Sequence, residues 1–156
     1  MECGRAKLDA ALAECGLHAQ VLGDAAAALP EVFNAELAAT VDAERRRWLD
    51  QAACRFMKLQ DSLGEKVLPG LLAATLDPLP PEATFAERLQ RLERLGALPS
   101  VERWRLLREV RNSLAHEYPE HPELQAAALT RLVGGARELL LFWVAARAFA
   151  DRHLAR

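Results

Sequence analysis

Aromatic side chains make up only 6% of this 156-residue chain, and glycine and proline occur just eight times each. With so few breakers, the apolar residues fall into long periodic segments. They are 51% of the total and much of that is alanine, a helical composition. Cysteine is also scarce. Cys3, Cys15 and Cys54 are odd in number and match no metal-ligand spacing, which points to a reducing, cytoplasmic setting with all three buried as small hydrophobes. No basic stretch leading into an apolar one opens the chain, so no signal peptide is expected. The longest apolar run, Leu139 to Ala146, is far too short to span a bilayer, and no membrane partner is expected. A surplus of positive charge is missing too: at a net charge of -2, any contact with RNA has to come from a local cluster. The length suits a single domain over residues 1–156.

What is present is a succession of amphipathic segments. From Cys3 to about Ala28, Leu8, Leu12, Val21 and Leu22 recur at helical steps, with Gly16 and Gly23 as potential breaks. His18, on this segment, reads as a surface or packed histidine rather than a ligand. Pro30 opens a stripe of Phe33, Leu37, Val41, Trp48, Ala52, Phe56, Leu59 and Leu63, which predicts one long helix of about eight turns. The Arg45-Arg46-Arg47 run on it reads as a solvated face ahead of an RNA contact. Ser62-Leu63-Gly64-Glu65 has the spacing of a capping box, so a turn is expected there. A short helix with Leu68, Leu71, Leu72 and Leu76 should follow, ended by the loop Asp77-Pro78-Leu79-Pro80-Pro81.

Thr84-Phe85-Ala86-Glu87 is a second capping box. It opens a helix with Phe85, Leu89, Leu92 and Leu95 inside and Gly96 as its cap. The row Arg88, Arg91 and Arg94 reads as a solvated, ion-paired side ahead of a cationic surface. Ser100 is placed as N-cap of the next helix, and Pro122 in the first turn of the last one, which runs to about Arg152. The last helix carries Gly134-Gly135, suited to a close contact or a kink, and is apolar on nearly all sides around Leu139 to Val144. Such a helix is either central or shared with a second copy, the second being preferred. The expected architecture is an all-α bundle of about five or six helices.

Chemistry concentrates in Arg111-Asn112-Ser113-Leu114-Ala115-His116-Glu117-Tyr118. Trp104, Leu107, Val110 and Leu114 recur at three- and four-residue steps, which predicts an amphipathic helix from near Val101. Pro119 should stop it at about Glu117 or Tyr118 and leave His116 in its last turn. Arg111 then falls on the apolar stripe, where a charge needs a partner or a purpose, and Arg105, Arg108, Asn112 and His116 share the adjoining flank. With seventeen arginines and four histidines, an Arg, four residues and a His is expected about 0.4 times by chance. Requiring Asn after the Arg and the only tyrosine two after the His lowers this to about 3 in 100,000. Arg147 and His153 form a looser pair without either companion and are taken as incidental.

At these residues the sequence resembles the HEPN superfamily, marked by an Arg, four to six residues and a His, with a polar residue after the Arg: here Arg111, Asn112 and His116. With Tyr118 it is similar to the HepT toxins, the HEPN half of toxin–antitoxin pairs whose other half is a minimal nucleotidyltransferase. The stretches Arg55 to Gly64, Leu92 to Gly96 and Trp104 to Arg108 extend the resemblance over about half of the chain. It implies a HEPN-like bundle dimerising around the motif helix, and metal-independent RNA cleavage that leaves a cyclic phosphate and needs no cofactor. The implied partners are RNA, a second copy of the chain, and a nucleotidyltransferase antitoxin that transfers AMP to Tyr118.

The residues themselves support that chemistry. RNA carries its own nucleophile, the 2′-hydroxyl, provided one group removes its proton, another protonates the leaving 5′-oxygen and a cation holds the added charge. Imidazole, with a free pKa of about 6.5, suits the proton steps, and His116 is the candidate. The forked guanidinium of Arg111 suits the phosphate oxygens, Asn112 the orientation of either, and Arg105 and Arg108 the RNA backbone. One histidine does not easily act as base and acid in one step, so a two-fold dimer supplying a second His116 is expected. His121 is read as capping the last helix ahead of serving as a second imidazole. The competing reading is a non-catalytic HEPN-like adaptor that dimerises and binds a nucleotide or a nucleotidyltransferase.

Overall fold

The computed structural model describes residues 2–75, 79–116 and 118–154, and every regular element among them is helical. Helices α1 (Glu2–Ala28), α2 (Ala35–Ala39), α3 (Ala43–Ser62), α4 (Leu68–Ala73), α5 (Phe85–Leu95), α6 (Val101–Ser113) and α7 (Pro122–Leu154) follow in order. A π-helical turn, Leu63–Val67, joins α3 to α4, so these three pieces form one rod and the described bundle has six rods. Helix α7 packs on α1, α2, α3 and α6, and α1 packs along α3. The core lies between them, with Leu22, Phe56, Leu59, Leu107 and Leu139 at most 2% exposed. No helix among the described residues is long and apolar enough to cross a membrane.

Local signals set several boundaries as expected. The Thr84 hydroxyl accepts from the Glu87 amide at 3.1 Å, while the Glu87 carboxylate accepts from the Thr84 amide at 2.7 Å. Gly96 ends α5 with φ 87°, a left-handed conformation that glycine adopts without strain. Ser100 Oγ accepts from the Arg103 amide at 3.2 Å to start α6, and Pro122 opens α7.

Elsewhere the chain departs from the periodic reading. Helix α1 runs unbroken through Gly16 and Gly23, because its flanks bury Leu12, Cys15, Ala19 and Leu22 and tertiary contact outweighs the roughly 1 kcal/mol that each glycine costs. The eight-turn helix from Pro30 is divided instead. Asn34 Oδ1 accepts from the Leu37 amide at 2.7 Å and Asp42 Oδ1 from the Arg45 amide at 2.8 Å, so two separate N-caps start α2 and α3. The expected turn at Ser62 is absent: Ser62 keeps helical torsions and gives its hydroxyl to Glu14 Oε1 at 3.0 Å rather than to a cap. Gly64 does not bend the chain but lies under Trp104, whose ring stands 3.2 Å from where a Cβ would be. Phe85 and Leu95, expected inside, are 60% and 41% exposed. Leu76, Asp77 and Pro78 lie outside the described residues.

His18 is buried, as one of its two readings had it. Arg55 Nη1 donates to His18 Nδ1 at 2.9 Å, which makes Nε2 the protonated nitrogen facing Glu14 at 3.4 Å. Glu14 also receives Lys66 Nζ at 3.2 Å; hydrogen bonds from Lys66 and then Ser62 hold its carboxyl below the usual glutamate value. The cysteines divide where all three were expected inside: Cys15 is buried, whereas Cys3 and Cys54 are exposed. Burial, with Glu14 adding to it, pushes the Cys15 thiol up to about 12. A thiol reagent at pH 8 should therefore modify Cys3 and Cys54 within minutes and Cys15 only on unfolding. Mass spectrometry of the native protein checks this, and three equally labelled thiols would contradict the packing of α1 against α3.

Helix α7 is central to the bundle, yet leaves Leu141 and Val144 66% and 60% exposed. Its Gly135 is the close seat for two other helices. A Cβ there would stand 3.3 Å from the Phe56 ring and 3.4 Å from Val110, so α3 and α6 both settle against the bare backbone. Gly134 meets nothing within 4 Å, and α7 continues through both.

Candidate functional site

The Gly135 seat brings the last turns of α3 and α6 together, and with them Asp61 and Arg111. Arg111 Nε donates to Asp61 Oδ1 at 3.2 Å and Nη2 to Oδ2 at 3.0 Å, a side-on pair with both side chains about one-third exposed. These hydrogen bonds, reinforced by direct charge attraction, hold the Arg111 pKa above the usual arginine value. Arg108 Nη1 lies 3.6 Å from the same carboxylate. Two guanidinium groups therefore share one carboxylate, and the Glu65 charge also acts on Arg111. The partner that a charge on the apolar stripe requires is Asp61, fifty positions away in the chain.

Helix α6 ends sooner than its proline implies. Ser113 is its last residue and Leu114 its cap; His116 lies beyond it, not in its last turn, while Glu117 lies outside the described residues. The cause is local. Ser113 Oγ donates back to the Val110 carbonyl at 2.8 Å, and the Leu114 amide turns to the Arg111 carbonyl at 3.3 Å, a tighter closure than the α ladder. The His116 amide then bonds the Ser113 carbonyl at 3.0 Å, holding the imidazole just past the helix end. His116 is exposed there, next to the carbonyl end of α6.

Tyr118 is half-buried, its amide donating to Gln125 Oε1 at 3.2 Å and its carbonyl accepting from His121. His121 precedes α7, and its carbonyl accepts from the Gln125 amide at 3.0 Å, a backbone role at the helix start. A groove of about 400 Å³ opens between α3, the α6–α7 turn and α7. It is lined by His116, Tyr118, Ser113, Arg46 and Asp50 over an apolar floor. The motif is thus parted: His116 and Tyr118 share the groove, whereas Arg111 and Arg108 gather on Asp61, and Asn112 and Arg105 are exposed on α6. Asp61 and Arg46 were not singled out from the sequence. Arg46 was visible only as one member of a basic run, and no spacing signal links Asp61 to Arg111.

The arginine row of α5 is partly structural. Arg88 donates to the Ala83 and Pro81 carbonyls, each at 3.2 Å, and fastens the proline loop to its helix. Among the described residues no three His, Cys, Asp or Glu side chains gather so as to hold a metal ion. Compared with protein-family models, curated proteins and solved structures, the chain gives no significant match.

Proposed function

We propose that this chain is a HEPN-type endoribonuclease, cytoplasmic and homodimeric, and the toxin of a pair whose antitoxin is a minimal nucleotidyltransferase. The observation that carries the reading is the placement of His116: an exposed imidazole just past the end of the helix that bears Arg108 and Arg111. In the reaction, one His116 takes the proton of the RNA 2′-hydroxyl as its oxygen attacks the adjacent phosphorus. The second His116, from the other protomer, gives a proton to the departing 5′-oxygen. The products are a 2′,3′-cyclic phosphate and a 5′-hydroxyl, and no other reactant is consumed. Asp61 binds Nε and Nη2 of Arg111, which leaves Nη1 to donate to the phosphate oxygens as charge builds there. Arg105, Arg108 and Asn112 stand on the exposed side of α6, where two copies of the helix can face each other across RNA.

Tyr118 fits the regulatory part of the reading. Tyr118 lines the same groove as His116. Attack of its hydroxyl on the α-phosphate of ATP, catalysed by the partner with loss of pyrophosphate, would fill this groove with AMP and exclude RNA. The adaptor reading draws on the Asp61 pair, which already gives Arg111 a structural partner. Analysis of RNA ends separates the two. Incubation of tRNA and total RNA with the protein in excess chelator should yield 5′-hydroxyl and cyclic-phosphate ends. Products with 5′-phosphate ends, or cleavage only on adding a divalent metal, would contradict the proposed chemistry.

A further inference from the structure

The groove that holds His116 has a cation of its own. Arg46, at the end of the first turn of α3, lines it together with His116 and Tyr118. Arg46 is exposed and its guanidinium has no hydrogen-bond or ion-pair partner among the described residues, in contrast to Arg108 and Arg111, which are drawn to Asp61. The floor is apolar, formed by Leu49, Leu129 and Leu132, and the one acid lining the groove among the described residues is Asp50, one turn after Arg46. A volume of about 400 Å³ falls at the lower end of the range for small-ligand sites, roughly 300–1,000 Å³, and suits a single nucleotide unit.

We infer that this groove is an RNA subsite beside the cleaved bond, in which Arg46 holds a phosphate next to His116 and the attached base lies on the apolar floor against Tyr118. The inference rests on the ribonuclease reading and adds a residue to it. Each component has a physical task. A lone guanidinium, unpaired in the free protein, gives up no ion pair on meeting a phosphate, so its charge is fully available for binding. An aromatic face and an aliphatic floor accept any base by stacking and burial. Asp50, an acceptor only, selects the donor-bearing edge of a base or a ribose hydroxyl over a second phosphate.

The test is binding of a fluorescent 2′-O-methyl oligoribonucleotide, which lacks the nucleophile and so reports the site without turnover. Arg46→Gln should weaken binding about tenfold and flatten the salt dependence by about one unit. Arg46→Lys should recover most of the affinity, and Arg47→Gln, in the same basic run but outside the groove, should bind within twofold of wild type. His116→Ala should lose cleavage of unmodified RNA. Equal effects of Arg46→Gln and Arg47→Gln would overturn the subsite, as would failure of the wild type to bind, whether or not it cleaves. Inertness toward unmodified RNA with Arg46-dependent binding intact would instead overturn the nuclease reading and keep the nucleotide site.

Discussion

His116→Ala is expected to slow RNA cleavage by about 10³-fold with the helical fold unchanged. The size follows from the number of steps that the imidazole serves. In a two-fold site the substitution removes base and acid together, and each proton transfer by a positioned side chain contributes about 10²–10⁴-fold. The two contributions do not multiply fully, because groups acting as a unit are non-additive. The fold is spared because His116 is exposed and what fixes its position is its backbone amide, bonded to the Ser113 carbonyl. Single-turnover cleavage beside circular dichroism and sedimentation checks the prediction. A folded dimer of the variant that cleaves within threefold of wild type would show that His116 is not the proton-transfer group.

Arg111→Ala should lower kcat by about 10²–10³-fold, the usual loss when a fixed donor to developing charge is removed. Asp61 makes this residue more informative than a free arginine would be. If the carboxylate aims the fork, Asp61→Ala lets Arg111 wander and lowers kcat by about tenfold. It also removes a negative charge close to the RNA path, so KM should fall. The two parameters then move in a pattern that a merely structural residue does not produce. A rise in kcat on Asp61→Ala would mean that the acid restrains Arg111 rather than aims it. Arg111→Lys should rescue little, since a point charge cannot take a side-on carboxylate and a phosphate together.

The legible features of this chain are those decided within about one helical turn. The Thr84–Glu87 box, the left-handed Gly96, the Ser100 cap and Pro122 act through bonds or torsions among neighbouring residues, and each stands where its residue type implies. Periodicity identified which residues face the core, as at Trp104 and Leu107, but not where one helix gives way to the next. Val41 packs against the core on either side of that question, so the stripe from Phe33 to Leu63 passes through the break between α2 and α3 without a gap. Asn34 and Asp42 were the available signals there, as N-cap types, the first ahead of a short alanine-rich run and the second ahead of Ala43-Glu44-Arg45. Ser113 was another, since its hydroxyl competes for the carbonyls that α6 would need to continue.

The site was legible as a set of residue types and not as an arrangement. The Arg111–Asp61 pair depends on α3 and α6 both settling at Gly135, a relation among three helices that no local spacing encodes. The groove depends on the early end of α6, which leaves His116 past the helix, lining the groove with residues from the first turns of α3 and α7.

The measurement that tests the central claim most directly compares two RNAs of one sequence, one unmodified and one fully 2′-O-methylated. Both are incubated in excess chelator with protein shown by mass spectrometry to carry no AMP on Tyr118. The account predicts cleavage of the unmodified RNA alone, because the nucleophile belongs to the substrate and the two His116 imidazoles handle the protons. Cleavage of both RNAs would contradict that mechanism, and cleavage of neither would make the non-catalytic adaptor the better description of the chain.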